Sequence, residues 1–152
     1  MRIRFIGCIA LVLLVCSSCF EKGDCIINNT NLVKINFLNT VGKTPYPITF
    51  SSIEVTGTSL LLYNNNVAVS SIQLPVDPNK TEATFILKYA SNLNDTLIIT
   101  YRNQTTIPSS ECGAFVYQDQ VSIVKNPFEA TIIKNVNTQL LKNATVNFEI
   151  YF

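Results

Sequence analysis

Val33-Lys34-Ile35-Asn36-Phe37-Leu38 sets Val33, Ile35 and Phe37 in alternation with Lys34, Asn36 and Leu38. Only an extended backbone sends successive side chains to opposite faces, so this period of two reads as a half-buried β-strand. The same pattern returns near the C-terminus, where Val146, Phe148, Ile150 and Phe152 alternate with Asn147, Glu149 and Tyr151. Between these two stretches, β-branched and aromatic residues concentrate near 48–56, 59–63, 67–74, 83–89, 96–103, 114–124 and 128–134, which predicts a strand in each.

The breaks between them carry turn chemistry. Asn64-Asn65-Asn66 joins Leu61-Leu62-Tyr63 to Val67-Ala68-Val69, and asparagine tolerates the left-handed backbone that a hairpin tip requires. Asp77-Pro78-Asn79-Lys80, Asn92-Leu93-Asn94-Asp95 and Lys125-Asn126-Pro127 punctuate the remainder. Strands spaced 8 to 12 residues apart and divided by such turns predict an all-β fold, an antiparallel β-sandwich of immunoglobulin-like or related form. Residues 133–142 fit two forms, since Ile133, Val136, Leu140 and Leu141 match one face of a short helix as well as a strand. No internal repeat, heptad pattern or second domain is evident.

The N-terminus follows different rules. Arg2 and Arg4 precede an apolar run from Phe5 to Val15, and Cys16-Ser17-Ser18-Cys19 follows. A basic start, a short apolar stretch and small residues before a cleavage point describe an export signal. The run falls short of the roughly 20 apolar residues that span a bilayer. Ser17, Ser18 and Cys19 fit a bacterial lipobox, in which the cysteine after the cut receives a diacylglycerol on its sulfur. Cys16 stands where an aliphatic residue is usual, which leaves Cys16 as an alternative acylation site, although Val15 would then be a bulky residue at its cleavage position. The expected division is signal peptide 1–18, lipidated tether 19–24 and one sandwich domain over 25–152.

Charge and cysteines agree with export. The chain carries 11 Lys+Arg and 10 Asp+Glu. Loss of Arg2 and Arg4 leaves the mature part at a net charge of −1 with no basic run, which argues against a nucleic-acid partner. Of the five cysteines, Cys8 and Cys16 leave with the signal and Cys19 takes the lipid. The remaining pair, Cys25 and Cys112, reads as a disulfide in an oxidising compartment. Closing so long a loop stabilises by about 4 kcal/mol on a chain-entropy account. With only Phe20 to Asp24 between lipid and disulfide, the tether spans roughly 20 Å at full extension. Glu21 and Asp24 in it offer a weak surface-export signal.

Catalytic chemistry is sparse. The chain has no histidine, which removes the usual neutral-pH base, the nucleophile pairs that depend on it and the commonest zinc ligand. Five glycines form no phosphate-binding loop, and tryptophan, the preferred sugar platform, is missing. Glu111 and Asp119 are the carboxylates that could form a glycosidase pair. Asp77, Asn79 and Glu82, or Asn92, Asn94 and Asp95, place oxygen ligands in loops without matching a calcium-loop spacing. The reading assigns no catalytic residue, no metal site and no cofactor. Asp95-Thr96-Leu97 has the form of a short O-glycosylation acceptor found in Bacteroidota.

Two stretches together carry a resemblance. Gln73-Leu74-Pro75-Val76-Asp77-Pro78-Asn79-Lys80 with Thr84-Phe85-Ile86-Leu87 is one, and Asp95-Thr96-Leu97-Ile98-Ile99-Thr100-Tyr101 with Ser110-Glu111-Cys112-Gly113 is the other. With the lipobox and Cys25 they resemble an uncharacterised family of Bacteroidota lipoproteins, a domain of unknown function. The resemblance implies an outer-membrane lipoprotein, on its periplasmic face or at the cell surface, and is consistent with the two-cysteine pattern. It implies no activity. The expected function is a non-enzymatic interaction or structural module of the cell envelope, anchored through lipid (palmitate among its acyl chains) on Cys19 and meeting an envelope protein partner. The alternative is a ligand-binding module for a glycan or peptide.

Overall fold

The computed structural model describes residues 31–91, 93–107, 113–130, 132–140 and 145–152. Ten strands follow one another: β1 (Leu32–Leu38), β2 (Ile48–Val55), β3 (Leu61–Leu62), β4 (Val67–Val69), β5 (Ser71–Pro75), β6 (Glu82–Tyr89), β7 (Asn94–Thr106), β8 (Phe115–Lys125), β9 (Ile132–Asn135) and β10 (Phe148–Tyr151). There is no helix among the described residues. The strands form two sheets, one ordered β5-β1-β10-β9 and one ordered β3-β2-β6-β7-β8 with β4 also paired to β2. The protein is therefore the β-sandwich that the alternation predicts.

Alternation decides which side chains meet between the sheets. Val33, Ile35 and Phe37 of β1, Ile72 and Leu74 of β5, and Phe148 and Ile150 of β10 are buried from one side. Phe50 and Ile53 of β2, Phe85 and Leu87 of β6, and Leu97 and Ile99 of β7 are buried from the other. Phe37 is the hub, with ring centroids 5.2 Å from Phe128, 6.2 Å from Phe50 and 6.2 Å from Phe152.

Several strands depart from expectation for reasons the register makes plain. The pairing is antiparallel throughout except in the middle of the smaller sheet, where β1 and β10 run parallel with Ile35 opposite Phe148. The expected strand over 67–74 is two strands, because the chain crosses between sheets at Ser70, whose carbonyl accepts from Phe37 N at 2.8 Å. Asn64-Asn65-Asn66 is not a hairpin tip: β3 and β4 both pair antiparallel with β2, at Glu54–Ile53 and at Phe50–Ile48. The asparagines form an outward excursion within one edge, with Tyr63, Asn65 and Asn66 left-handed at φ 49°, 74° and 54°. The turn carries the Tyr63 hydroxyl to Gln73 N, from which it accepts at 2.7 Å.

The 133–142 stretch begins as a strand in β9 and continues as irregular backbone through Leu140. Its amides donate over long range instead of to a helical turn: Val136 N to Asn147 O at 2.8 Å, and Leu140 N to Gln118 O at 2.8 Å. That span crosses from one sheet to the other and covers part of the β8 edge. It also buries Asn147, expected on the solvent side, so that 1% of it is exposed; Tyr151, expected there too, is 8% exposed.

Candidate functional site

The strand directions give the sandwich two ends. At one, Asn31 leads into β1 and its carbonyl accepts from Val76 N at 2.9 Å. The Thr56–Ser59 turn and Asp77–Lys80 turn lie at that end, and β7 and β8 run on past it. At the other end β1 finishes, β2 begins, β6 turns into β7, and β8 and β10 finish. The β1–β2, β6–β7 and β8–β9 connections therefore meet Phe152 there, and they enclose a cleft of about 460 Å³ lined by aromatic and acidic side chains.

Each aromatic wall is fixed by local chemistry. Tyr46 lies between Pro45 and Pro47, and its N–H donates to Phe37 O at 2.9 Å. Its ring stacks on Phe152, with centroids 4.5 Å apart and planes 11° from parallel. Phe152 is pinned by its own N–H, which donates to Leu38 O at 2.9 Å, and by its carbonyl, which accepts from Thr40 N at 2.9 Å and Thr40 Oγ1 at 2.6 Å. Phe128 follows Asn126-Pro127 in a tight turn whose Asn126 side chain accepts from Phe128 N and donates to Phe128 O. That turn drives Phe128 inward, edge-on to Phe37 and to Phe152. Tyr89 ends β6 with its ring 5.5 Å from Phe50. Burial, reinforced by the nearby Asp95 carboxylate, pushes its phenol up to about 12.

The rim is polar and acidic. Ser91, Leu93, Asp95 and Glu129 join Ile48 and Pro127 in the lining, which among the described residues contains no lysine or arginine. Among the described residues the ion pairs lie elsewhere, between Lys88 and Glu54, Arg102 and Asp119, and Lys134 and Glu149. The arrangement offers aromatic surface and negative charge to whatever enters.

The residues singled out from the sequence fall in several places. Cys19, Cys25, Glu111, Cys112 and Asn92 lie outside the described residues. Asp119 faces Arg102 across β7 and β8 and accepts two hydrogen bonds, Arg102 Nε to Oδ1 at 2.9 Å and Arg102 Nη2 to Oδ2 at 2.8 Å. This bidentate contact holds its carboxyl below the usual carboxylate range, the opposite of what a general acid needs. Asp77 Oδ1 accepts from Asn79 N at 2.9 Å, so it serves as a turn former. Among the described residues no three His, Cys, Asp or Glu side chains come together as metal ligands. Thr96 of the Asp95-Thr96-Leu97 motif sits half-buried inside β7 beside the fully buried Leu97.

Of the cleft, only Asp95 was singled out in the sequence. Tyr46, Tyr89, Phe128, Glu129 and Phe152 were not, because they lie in or beside the β1–β2, β6–β7 and β8–β9 connections and after β10, which only the sheet order unites. The local signals were Pro45-Tyr46-Pro47 and Asn126-Pro127-Phe128, each an aromatic next to proline.

No curated protein and no solved structure matches the chain. The family of unknown function DUF6452 matches residues 48–152, from the first residue of β2 onward. The chain belongs to that family.

Proposed function

We propose that this protein is exported, lipidated on Cys19 and held at the cell envelope, where the sandwich acts as a non-enzymatic binding module. The observation that carries the reading is the N-terminal sequence, a basic start and short apolar run ending at Ser17-Ser18-Cys19. In the topology, the described sandwich begins at Asn31, at the end remote from the aromatic cleft.

The same topology supports a Cys25–Cys112 disulfide. Ile107 and Gly113, which flank the Cys112 segment, are reached by β7 and β8 after they run past the Asn31 end. The segments bearing the two cysteines thus join the sandwich on the same side. Fractionation of cells fed an alkyne fatty acid tests the anchor. The unaltered protein is expected in membranes and labelled, and Cys19→Ala is expected unlabelled and released. Labelling and membrane retention of Cys19→Ala would overturn the assignment.

The second reading, a module for a glycan or peptide, is favoured by one observation, the cleft itself. Concave sites with apolar walls and a few polar groups are where proteins hold ligands.

A further inference from the structure

We propose that the cleft binds a lysine or arginine side chain of a partner polypeptide; the inference rests on the binding-module reading and names the chemistry of its ligand. Three observations converge. The walls are aromatic, and the faces of such rings attract cations through their quadrupole. The rim carries the carboxylates of Asp95 and Glu129, and among the described residues the lining holds no cation of its own. Neither carboxylate takes part in an ion pair among the described residues. A neutral sugar would stack on the rings and donate hydroxyls to the carboxylates but leave their charge unbalanced, whereas a guanidinium or ammonium group meets both the rings and the charge.

The size of the cleft argues for a polypeptide over a free amine. A volume of about 460 Å³ exceeds what one side chain fills. The rim includes Leu93, which is 65% exposed, and Ile48 lies within the lining. These apolar groups suit the residues that flank the cation in a chain. The site also lies at the end of the sandwich where the β1–β2, β6–β7 and β8–β9 connections meet, the position from which β-sandwich domains commonly present binding loops.

The test uses the full-length lipidated protein in detergent micelles. The probes are acetylated, amidated pentapeptides of sequence Ala-Leu-X-Leu-Ala, with arginine, lysine or glutamine at X, titrated by calorimetry. The arginine and lysine peptides are expected to bind, and the glutamine peptide at least about tenfold more weakly. Glu129→Gln and Asp95→Asn are each expected to weaken the cationic peptides about three- to tenfold while leaving the melting temperature unchanged. Added salt should weaken binding in the same direction.

Equal binding of the glutamine peptide, or indifference to both carboxylate substitutions, would overturn the inference. So would the absence of binding by all three peptides. Spermidine binding as tightly as the peptides would overturn the polypeptide assignment. A glycan that binds the cleft while the peptides do not would refute the cationic ligand and leave the binding-module reading intact. Failure of the lipid anchor shows only in the fractionation of Cys19→Ala, so the two failures are separable.

Discussion

Asn147 joins three segments with one side chain. Its Oδ1 accepts from Lys34 N at 2.9 Å, and its Nδ2 donates to Asn137 O at 3.0 Å and Gln139 O at 3.3 Å. Its main chain bonds Lys34 O and Val136 N in addition. Asn147→Ala is expected to lower stability by about 1–3 kcal/mol in urea unfolding, because it removes a buried side chain that bonds part-buried groups in three places. Asn147→Asp should be no better at neutral pH, since a carboxylate cannot donate to the Asn137 and Gln139 carbonyls. A second effect at this scale belongs to Tyr89. Its phenol is raised from 10.0 to about 12 in the fold, so the folded state favours the protonated form. The contribution to stability is therefore full below pH 10 and declines as the pH rises through about 12. Tyr89→Phe is expected to remove the latest-ionising tyrosine from an ultraviolet titration and to flatten part of the alkaline decline. Tyr101 and Tyr151, also raised, account for part of what remains.

Strands β7 and β8 form the longest ladder, and an irregularity in it sets what β8 presents. Thr100 pairs with Ser122 and Arg102 with Asp119, so β8 spends one extra residue there. Gln120 takes a left-handed backbone at φ 51°, and the side-chain parity shifts, so that Gln118 and Val121, three residues apart, are both buried while Asp119 meets Arg102. Gln120→Val should cost about 1–2 kcal/mol, because a β-branched side chain tolerates that conformation badly, whereas Gln120→Gly should be accepted. The Arg102–Asp119 contact beside the bulge gives the ladder an acid limb. Its carboxyl is held below the ordinary carboxylate value of 3.8, so its stabilisation is present above that pH and is lost as the pH falls through the lowered value. Asp119→Asn should make the thermal midpoint less dependent on pH in that range. Period-two alternation made the strands legible in the sequence, as Leu32–Leu38 shows. It did not tell which strand pairs with which, because pairing is decided by partners far along the chain. The crossing at Ser70 and the excursion at Asn64-Asn65-Asn66 both follow from pairing with β2 and β1, not from any local signal. The cleft was illegible for the same reason, its walls being single aromatics in connections that β1, β2, β6, β8 and β10 bring to one end.

At the scale of the whole molecule the sandwich is polar in the geometric sense: the chain joins it at one end and the aromatic cleft opens at the other. Mass mapping without reduction is expected to find Cys25 joined to Cys112. Reduction should lower the melting temperature, since the bridge closes a long loop; two free thiols in protein kept from reductant would contradict the pairing. The parallel pair at the middle of the smaller sheet has a further consequence, one of timing. Lys34 and Asn147 lie 113 positions apart and are hydrogen-bonded to each other. Until residues 148–151 are available, β1 can pair only with β5 and keeps its other edge open. Such distant pairing slows folding into the millisecond-to-second range, and stopped-flow refolding in microseconds would contradict it. If the chain is exported as proposed, this delay has a use: the chain stays a pliable strand in transit and closes its sheet after delivery.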